Sequence, residues 1–546
     1  MEKNTKPSLD TDRHSKTTTM STLDKSMSLS GEPPKALNTN QKISVLIGMT
    51  GLGILVLQLF NLQLGNSALW LSISLLLIFL GVFLFSQAAY AHKHEGIKND
   101  GVWFKSISSR GLMGWLTGIA LTGFYIVLYF YPEYLGLVQD GDNRGLIALF
   151  DPLSRALSGN PASQWFVYGT LYTVGILAFG IKFMWKYRHN GYQQLRTLSV
   201  MFFQTAFAFI IPEIMARLNG DLPYYDLKNM WPLNYYNFER YRINGFIDAG
   251  DVGLAMLLFG ILSIFVISPI LTYKFGKRWY CSWVCGCGAM AETVGDPFRQ
   301  LSDKSKFAWK VERWVVHSVV VFVTLMTTAV IYSYLGNDTS KYWLTKTSFL
   351  IGVAVILTAV FAWAMIFKRD QLQKDAQYGA LGYFTIIAVL LGMHFFSGEG
   401  NIFLFKSSTL RTTYSFLIGS IFSGVIGTGF YPIFGSRVWC RFGCPMAAIL
   451  GFQQRLFSKF RITTNGGQCI SCGNCSTYCE MGIDVRAYAQ KGENIVRSSC
   501  VGCGICSAVC PRGVLKLENG PQEGRINPTE VLLGNDVDLM ELVNRK

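Results

Sequence analysis

Two cysteine arrays near the C-terminal end of the chain have the same spacing, C-x2-C-x2-C-x3-C. Three thiolates separated by two residues each can wrap a tight loop around one small object, and a fourth comes from further away. A zinc site typically uses two separated C-x2-C pairs, so the repeated triple spacing favours iron–sulfur ligation over zinc and over disulfides. The cysteines of the arrays are Cys469, Cys472, Cys475, Cys479, Cys500, Cys503, Cys506 and Cys510.

The fourth ligand of each cluster is expected to come from the other array. In two-cluster ferredoxins the last cysteine of one array ligates the cluster held by the other array, which places the two clusters close enough to exchange electrons. Glu480 follows the first array where Pro is usual, which affects the loop and not the ligands. The spacing therefore predicts one [4Fe-4S] cluster on Cys469, Cys472, Cys475 and Cys510, and a second on Cys500, Cys503, Cys506 and Cys479.

Composition places these arrays in a membrane protein. The chain has 546 residues, of which 50% are hydrophobic and 15% are charged, too apolar for a soluble protein. Its net charge of +15 is typical of Lys and Arg gathered in cytoplasmic loops, so nucleic acid is not expected as a partner. The 13 cysteines fit metal ligation in a reducing compartment.

Ten apolar segments are long enough to be transmembrane helices. With the N-terminus inside, Lys and Arg are more numerous in the inner loops than in the outer loops, so both termini are expected in the cytoplasm of a bacterium. The protein is therefore predicted to be a multi-pass protein of the inner membrane. The predicted segments are 43–64, 69–91, 111–131, 164–187, 197–216, 250–273, 314–336, 347–367, 380–396 and 413–433.

A second pattern repeats at the inner ends of two predicted helices. The segments 275–285 and 434–444 share Phe, Gly, Arg and a C-x3-C pair at equivalent positions. Two such pairs on one membrane face could supply four thiolates to a third metal centre, and Arg278 and Arg437 could stabilise an anionic cluster there. Alternatively, the cysteines only pack and the arginines are positive-inside anchors. Cys287 has no counterpart in the second copy. The candidate ligands are Cys281, Cys285, Cys440 and Cys444.

The fold class that follows is an all-α polytopic membrane protein with about ten transmembrane helices and a small C-terminal α+β domain of the bacterial two-[4Fe-4S] ferredoxin type. The predicted division is a disordered polar tail 1–40, a membrane region of five helices 41–249, a membrane core with the C-x3-C repeats 250–455, a cytoplasmic ferredoxin domain 456–518 and a tail 519–546.

At these motifs the chain resembles the polytopic membrane ferredoxins of the NapH and NosR types, which carry two C-x3-C-P motifs followed by a two-cluster ferredoxin segment. Cys440 to Pro445 matches that pattern fully, whereas Gly286 replaces the Pro after Cys285. The resemblance covers roughly residues 250–515. It implies electron transfer between a quinol pool and a partner redox protein at the inner membrane face.

The expected function is a membrane-bound electron carrier, or a quinol-dehydrogenase-like oxidoreductase component, that links quinone or an intramembrane acceptor to cytoplasmic [4Fe-4S] clusters and serves a respiratory reductase. The alternative is an assembly factor whose clusters reduce a metal or thiol, as in copper-oxidase maturation. Expected partners are membrane lipid, quinone and a redox protein such as a reductase or cytochrome. Glu213 and Lys182, ionisable residues within apolar segments, are weaker candidates for a proton or quinone site.

Overall fold

The structure is a computed structural model that describes residues 37–60, 65–91, 110–139, 141–339, 342–397, 402–465, 468–519, 532–533 and 537–538. Most of the predicted tails 1–40 and 519–546 lies outside the described residues. Near the C-terminal end of the predicted tail 1–40, Asn38 caps the first helix. Its side chain accepts a 2.8 Å hydrogen bond from the backbone N–H of Gln41.

Helices dominate the described chain, as the apolar segments predict. Shorter turns connect them, among them Arg278–Cys281, Tyr431–Phe434, Trp439–Gly443, Asn474–Thr477 and Ile505–Ala508. The longer helices are α1 Thr39–Leu57, α2 Ser67–Tyr90, α3 Leu112–Phe130, α4 Gly145–Leu157, α5 Gln164–Lys186, α6 Gly191–Leu218, α7 Arg240–Asp248, α8 Gly250–Phe275, α9 Gly286–Thr293, α10 Lys306–Tyr334, α11 Lys346–Phe367, α12 Lys374–Ser397, α13 407–429, α14 Pro445–Phe457 and α15 Val485–Lys491.

Nine of the described helices are long and apolar enough to cross a bilayer: α1, α2, α3, α5, α6, α8, α10, α11 and α12. Ten were predicted. The tenth segment, 413–433, is helical up to Gly429 as part of α13, which begins with the polar turn Ser407–Tyr414, and it is not among these nine. The prediction of a mostly helical protein with many apolar spans is therefore confirmed, with nine such helices among the described residues.

Three of the described helices, α6, α8 and α13, widen into π-helical turns just before a proline. Proline has no N–H to donate to the carbonyl four residues earlier, so the preceding turn loses its regular α-helical bond and opens. In α6 the wide turns surround Gln204, which becomes a buried polar side chain in the wall of the core. The wide segments are Phe203–Ile210 before Pro212, Ser263–Ile267 before Pro269 and Ser415–Gly429 before Pro432.

The C-terminal cysteine arrays lie within a small α+β unit. Strand β1 (Phe460–Thr464) pairs antiparallel with β2 (Leu515–Asn519), so the sheet ties together the two ends of the segment that carries the arrays. A second short pair joins β3 (Leu532–Leu533) to β4 (Val537–Asp538). One continuous apolar core contains residues of this unit and of the C-x3-C repeats, and every cysteine except Cys472 lies in it or packs against it. The cysteine-bearing parts of the chain are therefore built around one shared core.

Candidate functional site

The first predicted ligand set surrounds one cavity at the edge of the ferredoxin unit. Cys469, Cys472, Cys475 and Cys510 all line it. Burial, followed by the neighbouring thiols of Cys510 and Cys472, raises the pKa of Cys475 to about 12. Four sulfur donors facing one small cavity suit a [4Fe-4S] cluster. Because thiols bind iron as thiolates, loading this set must release protons.

The second predicted set lies next to the first, on the side of the membrane core. Burial and the nearby thiols of Cys503, Cys500 and Cys479 raise the pKa of Cys506 well above its ordinary value, and Cys475 of the first set contributes to the same rise. Cys506 therefore lies among the other three cysteines of its own set and near the first set. The structure thus brings both sets together as the spacing predicts, and ligation itself stays a prediction.

Side chains of both predicted membrane regions, 41–249 and 250–455, hold the loop from Cys500 to Cys503 through every one of its backbone carbonyls. Each of the four successive carbonyl oxygens accepts a hydrogen bond of 2.8–2.9 Å from a different core side chain. A loop fixed at four consecutive peptides keeps a constant position relative to the core. The pairs, donor first, are Gln454 with Cys500, Ser282 with Val501, Tyr192 with Gly502, and Gln193 with Cys503.

The two C-x3-C repeats have the same backbone geometry. In each copy the N–H of the second cysteine donates to the carbonyl five residues earlier, from Cys285 to Tyr280 at 2.8 Å and from Cys444 to Trp439 at 2.9 Å. This turn is wider than an α-helical turn, in which the hydrogen bond would reach the carbonyl four residues earlier. The second cysteine then precedes a helix, α9 or α14, whose N-terminal dipole favours a thiolate.

The backbone conformation before each C-x3-C pair favours glycine. Gly276 has φ 66° and Gly435 has φ 92°, the left-handed region that glycine adopts without strain. Space is also short, because a β-carbon at Gly276 would lie 2.5 Å from the side-chain oxygen of Gln454. The repeated Phe-Gly of the sequence therefore marks the same turn in both copies.

The four repeat cysteines converge in the buried core. All four are less than 9% exposed. Burial raises the pKa of Cys444 well above its ordinary value, and the thiols of Cys440, Cys285 and Cys281 add to that rise, so the four sulfurs are neighbours. The extra thiol of Cys287 hydrogen-bonds with Cys285, which lowers the pKa of Cys285 to about 6. This donor set fits a metal centre, with Cys287 beside it.

The positive charges at this set differ from those predicted. Arg437 is fully buried and directs Nη1 to the sulfur of Cys440 at 3.6 Å and to the carbonyl of Cys281 at 3.0 Å. Arg278, the other predicted arginine, packs elsewhere: its guanidinium lies 4.6 Å from the Phe460 ring centre and donates to the side-chain oxygen of Asn519 at 3.1 Å. Lys277 takes its place.

Lys277 is the charged residue beside Cys281. It lies one helical turn earlier, and its carbonyl accepts a 2.9 Å hydrogen bond from the Cys281 N–H, whereas the Arg278 side chain packs against Phe460 of β1. Lys277 is 1% exposed, and its charge acts on both Cys281 of the repeat set and Cys500 of the second ferredoxin set. A buried cation thus lies near both candidate metal centres.

A buried ion-pair cluster joins the ferredoxin unit to the core. Glu480, the residue that replaces the usual Pro, is 0% exposed and pairs with Arg299 at 2.7 Å and with Arg437 at 3.0 Å. Arg437, which contacts Cys440, also pairs with Glu292 at 2.6 Å. The departure from the Cys-Pro pattern therefore connects the first array to the C-x3-C repeat. The cluster consists of Lys186, Arg196, Glu292, Asp296, Arg299, Arg437 and Glu480.

The two glutamates of the cluster differ in their pKa. Burial raises the pKa of Glu480. Burial by itself would also raise the pKa of Glu292, but Arg196, Arg299 and Arg437 together hold it well below the ordinary range. Carboxylate oxygens of both residues lie within 4.8 Å of the Cys503 sulfur. Because arginines already pair with them, these carboxylates belong to the ion-pair cluster rather than to a separate metal site.

The first C-x3-C loop packs along several turns of α6, from its N-terminal end to its middle. Gln193 contacts the ferredoxin loop, Ser199 donates to the carbonyl of Trp283 at 2.8 Å, and Gln204 contacts Gly286. At about 1.5 Å per residue, Gln204 lies roughly 16 Å beyond Gln193 along the helix. The end of this loop therefore packs against the middle of the apolar helix α6.

The segment between α6 and α8, predicted as an outer loop, packs against this site from the other side. Asn229 accepts a 3.0 Å hydrogen bond from the Tyr280 hydroxyl, and Lys228 pairs with Asp226 at 2.9 Å. A β-carbon at Gly286 would lie 2.7 Å from Oε1 of Gln204 and 3.3 Å from Nζ of Lys228. Close packing of these two side chains explains why Gly replaces the Pro of the second copy.

Of the two weaker candidates, Lys182 is buried in α5 near Asp296 of the ion-pair cluster. Glu213 lies half-buried in the last turns of α6. Sequence reasoning missed Lys277, Lys228 and Gln204 because neither their spacing nor their type distinguishes them, whereas Glu480 was visible as a departure from the pattern.

The arrangement defines the class: a membrane-embedded iron–sulfur protein. Residues 257–305 and 416–463 match the family described as 4Fe-4S binding domain, and residues 468–515 match the family described as 4Fe-4S dicluster domain. The first two matches contain the C-x3-C repeats and the third contains both cysteine arrays. The chain thus carries 4Fe-4S ferredoxin domains, as the sequence predicted, and these matches do not select the NapH or NosR type.

A curated relative is similar over part of the chain. The protein described as "Putative electron transport protein YccM" from Escherichia coli (strain K12) is 26% identical over 231 residues, covering 42% of this chain and 47% of the relative. The chain therefore spans about half the length of the relative it matches. No solved structure matches the chain.

Proposed function

We propose that this protein transfers electrons between the quinol pool of the bacterial inner membrane and [4Fe-4S] clusters held by the two ferredoxin sets. The four repeat cysteines hold a third iron–sulfur centre between them and the membrane interior. When bound, such clusters accept and release single electrons. The protein's own residues fix the positions of these centres, exclude water and supply compensating charge.

The observation that carries the proposal is the fixed contact between the repeat set and the second ferredoxin set. Ser282, next to Cys281, donates to the carbonyl of Val501, next to Cys500, at 2.8 Å. This single hydrogen bond joins a residue beside one ligand set to a residue beside the other. The hydrogen bond keeps the distance between the two sets constant, which electron transfer requires. The apolar core around both sets excludes water.

Two positively charged side chains stabilise the reduced state of these centres. Arg437 acts on the repeat set and is held in place by Glu292 and Glu480, while Lys277 acts on both sets. Positive charge close to an anionic cluster stabilises its reduced form. These residues therefore tune and position the sites and do not react themselves.

The depth of the first C-x3-C loop supports quinol as the electron source. Its end lies beside the middle of α6, where a lipid-soluble quinol can diffuse, and Gln204, Lys228 and Asp226 provide polar groups at that level. Cys285 directly precedes Gly286, and the charge of Lys228 lowers the pKa of its thiol. The opposite end of the relay serves a redox protein such as a respiratory reductase.

Quinol oxidation by the reconstituted protein tests the proposal. Anaerobic addition of a short-chain quinol to the protein in liposomes should reduce clusters with the spectrum of the ferredoxin sets, read by low-temperature EPR. The variant with all four repeat cysteines changed to Ser should keep the ferredoxin signals with dithionite but lose reduction by quinol. Full reduction of this variant by quinol would contradict the proposed route.

The assembly-factor alternative makes a different forecast. If the clusters reduce a metal or thiol during maturation of another enzyme, deletion of the gene should leave that enzyme without its metal. The purified protein should then show no oxidation of quinol. Normal metal content of oxidases in the deletion strain, together with lost quinol oxidation, favours the relay.

The orientation is tested with reporters. From the excess of Lys and Arg in the predicted inner loops, we expect a reporter fused after Lys546 and one inserted at Lys374 to be cytoplasmic. A reporter at Asn337, in a predicted outer loop, should be periplasmic. A periplasmic signal at Lys374 would contradict the predicted order of crossings.

A further inference from the structure

The first ferredoxin set lies at a surface, unlike the second. The loop Cys500–Cys503 is bound by the core at each carbonyl, whereas Ile470 beside Cys469 is 45% exposed. Ser471 and Arg512 are also exposed in the part of the chain that the structure describes. The repeat set, the second set and the first set therefore follow one another from the membrane interior to this surface.

Among the described residues, the charged side chains that line the cavity of the first set are arginines. The cavity of the first set is lined by Arg486 and Arg512 and by no carboxylate. Arg512 forms no ion pair with any described residue. An exposed guanidinium without a partner acts on molecules that approach it, and the exposed Ile470 gives the surface an apolar centre.

We propose that this surface, formed by Ile470, Arg486, Pro511 and Arg512, docks a small soluble electron carrier whose redox centre is ringed by acidic residues. Charge complementarity selects such a carrier and speeds its encounter with the first set. The transfer is one electron from the centre of the carrier to the first set, or the reverse, and no bond is made or broken. The proposal rests on the proposed function, since it names the soluble end of the same relay.

A purely local role for the arginines gives a different expectation. If Arg486 and Arg512 only neutralise a bound cluster, changing Arg512 alters the reduction potential of that cluster and leaves carrier binding unchanged. If the surface docks a carrier, the change weakens binding. Binding to the oxidised carrier therefore separates the two roles without any turnover.

The experiment uses the full-length protein in nanodiscs and an oxidised, acidic plant-type [2Fe–2S] ferredoxin as probe. Surface plasmon resonance should show binding that weakens as salt rises, because the attraction is screened. Arg512→Glu should weaken binding at low salt about tenfold. Lys374→Glu, the same charge change at an exposed residue outside this surface, should alter binding less than about twofold.

Iron content and EPR spectra of Arg512→Glu establish that its clusters are retained. If this variant loses iron, Ile470→Glu places a carboxylate at the same surface without touching an arginine, and it should weaken binding to a similar extent. Binding that is independent of salt, or equally weakened by Lys374→Glu, would overturn the proposal. Reduction of the clusters by quinol is measured in a separate experiment. The binding result can therefore be interpreted even if quinol does not reduce the clusters.

Discussion

Replacing Glu480 by Gln should loosen the ferredoxin unit from the membrane core. The carboxylate is fully buried and accepts from Arg299 at 2.7 Å and from Arg437 at 3.0 Å. An amide keeps the shape but offers one acceptor oxygen and turns an N–H₂ group towards the second guanidinium. One arginine then loses its acceptor inside the core.

The magnitude follows from that loss. Removing one partner from a buried ion pair costs about 3–5 kcal/mol. Glu292 still pairs with both arginines, at 2.7 and 2.6 Å, so the lower end, about 3 kcal/mol, is expected. If this cost lowers the free energy of local unfolding of the ferredoxin unit, the equilibrium constant for that unfolding should rise about a hundredfold, since 1.4 kcal/mol is a factor of ten.

Hydrogen exchange of the protein in nanodiscs, read by mass spectrometry, measures that opening. Peptides that contain Glu480 or the loop Cys500–Cys503 should exchange about a hundredfold faster in Glu480→Gln, whereas peptides of α1 and α2 should not change. Glu493→Gln removes an exposed carboxylate from the same unit and serves as the matched control. Exchange within about threefold of the unchanged protein would refute the view that Glu480 joins the two parts.

Three further predictions concern the repeat set. Lys277→Gln should lower the reduction potential of the clusters by on the order of 50 mV in EPR-monitored titrations, because a buried cation near two sets is lost; Lys274→Gln, an exposed neighbour, should not. Single Ser variants of the four repeat cysteines should each lose about four irons per chain, as should the quadruple variant, leaving about eight for the ferredoxin sets; unchanged iron in the quadruple variant would mean that the pairs bind no cluster. Gly286→Ala should destabilise the protein by about 1–3 kcal/mol in thermal unfolding, since the new methyl group meets Gln204 and Lys228, whereas Pro445→Ala, at the equivalent position of the second copy, should cost less.

The cysteine ligand sets could be derived from the sequence because their information is local. The spacing C-x2-C-x2-C brings three thiols around one small object, and the pattern of two-cluster ferredoxins takes the fourth from the other array. The structure places Cys510 at one cavity with Cys469, Cys472 and Cys475, as that pattern predicts. The repeat of Phe, Gly and C-x3-C identified the second site for the same reason: each copy forms one turn, and the same residues form it twice. Long apolar segments likewise predicted their own helices.

Only the tertiary structure decided how these local pieces meet. That Lys277 and not Arg278 lies at Cys281 depends on which face of one turn the ferredoxin unit covers. The role of Glu480 depends on Arg299 and Arg437, which come from distant segments, and the depth of the first C-x3-C loop depends on its packing along α6. A contact between residues far apart in the chain leaves no periodic or spacing signal, because neither partner constrains the residues next to it in sequence. The sequence therefore determined the ligands, and the packing of the chain determined the charges and the path between them.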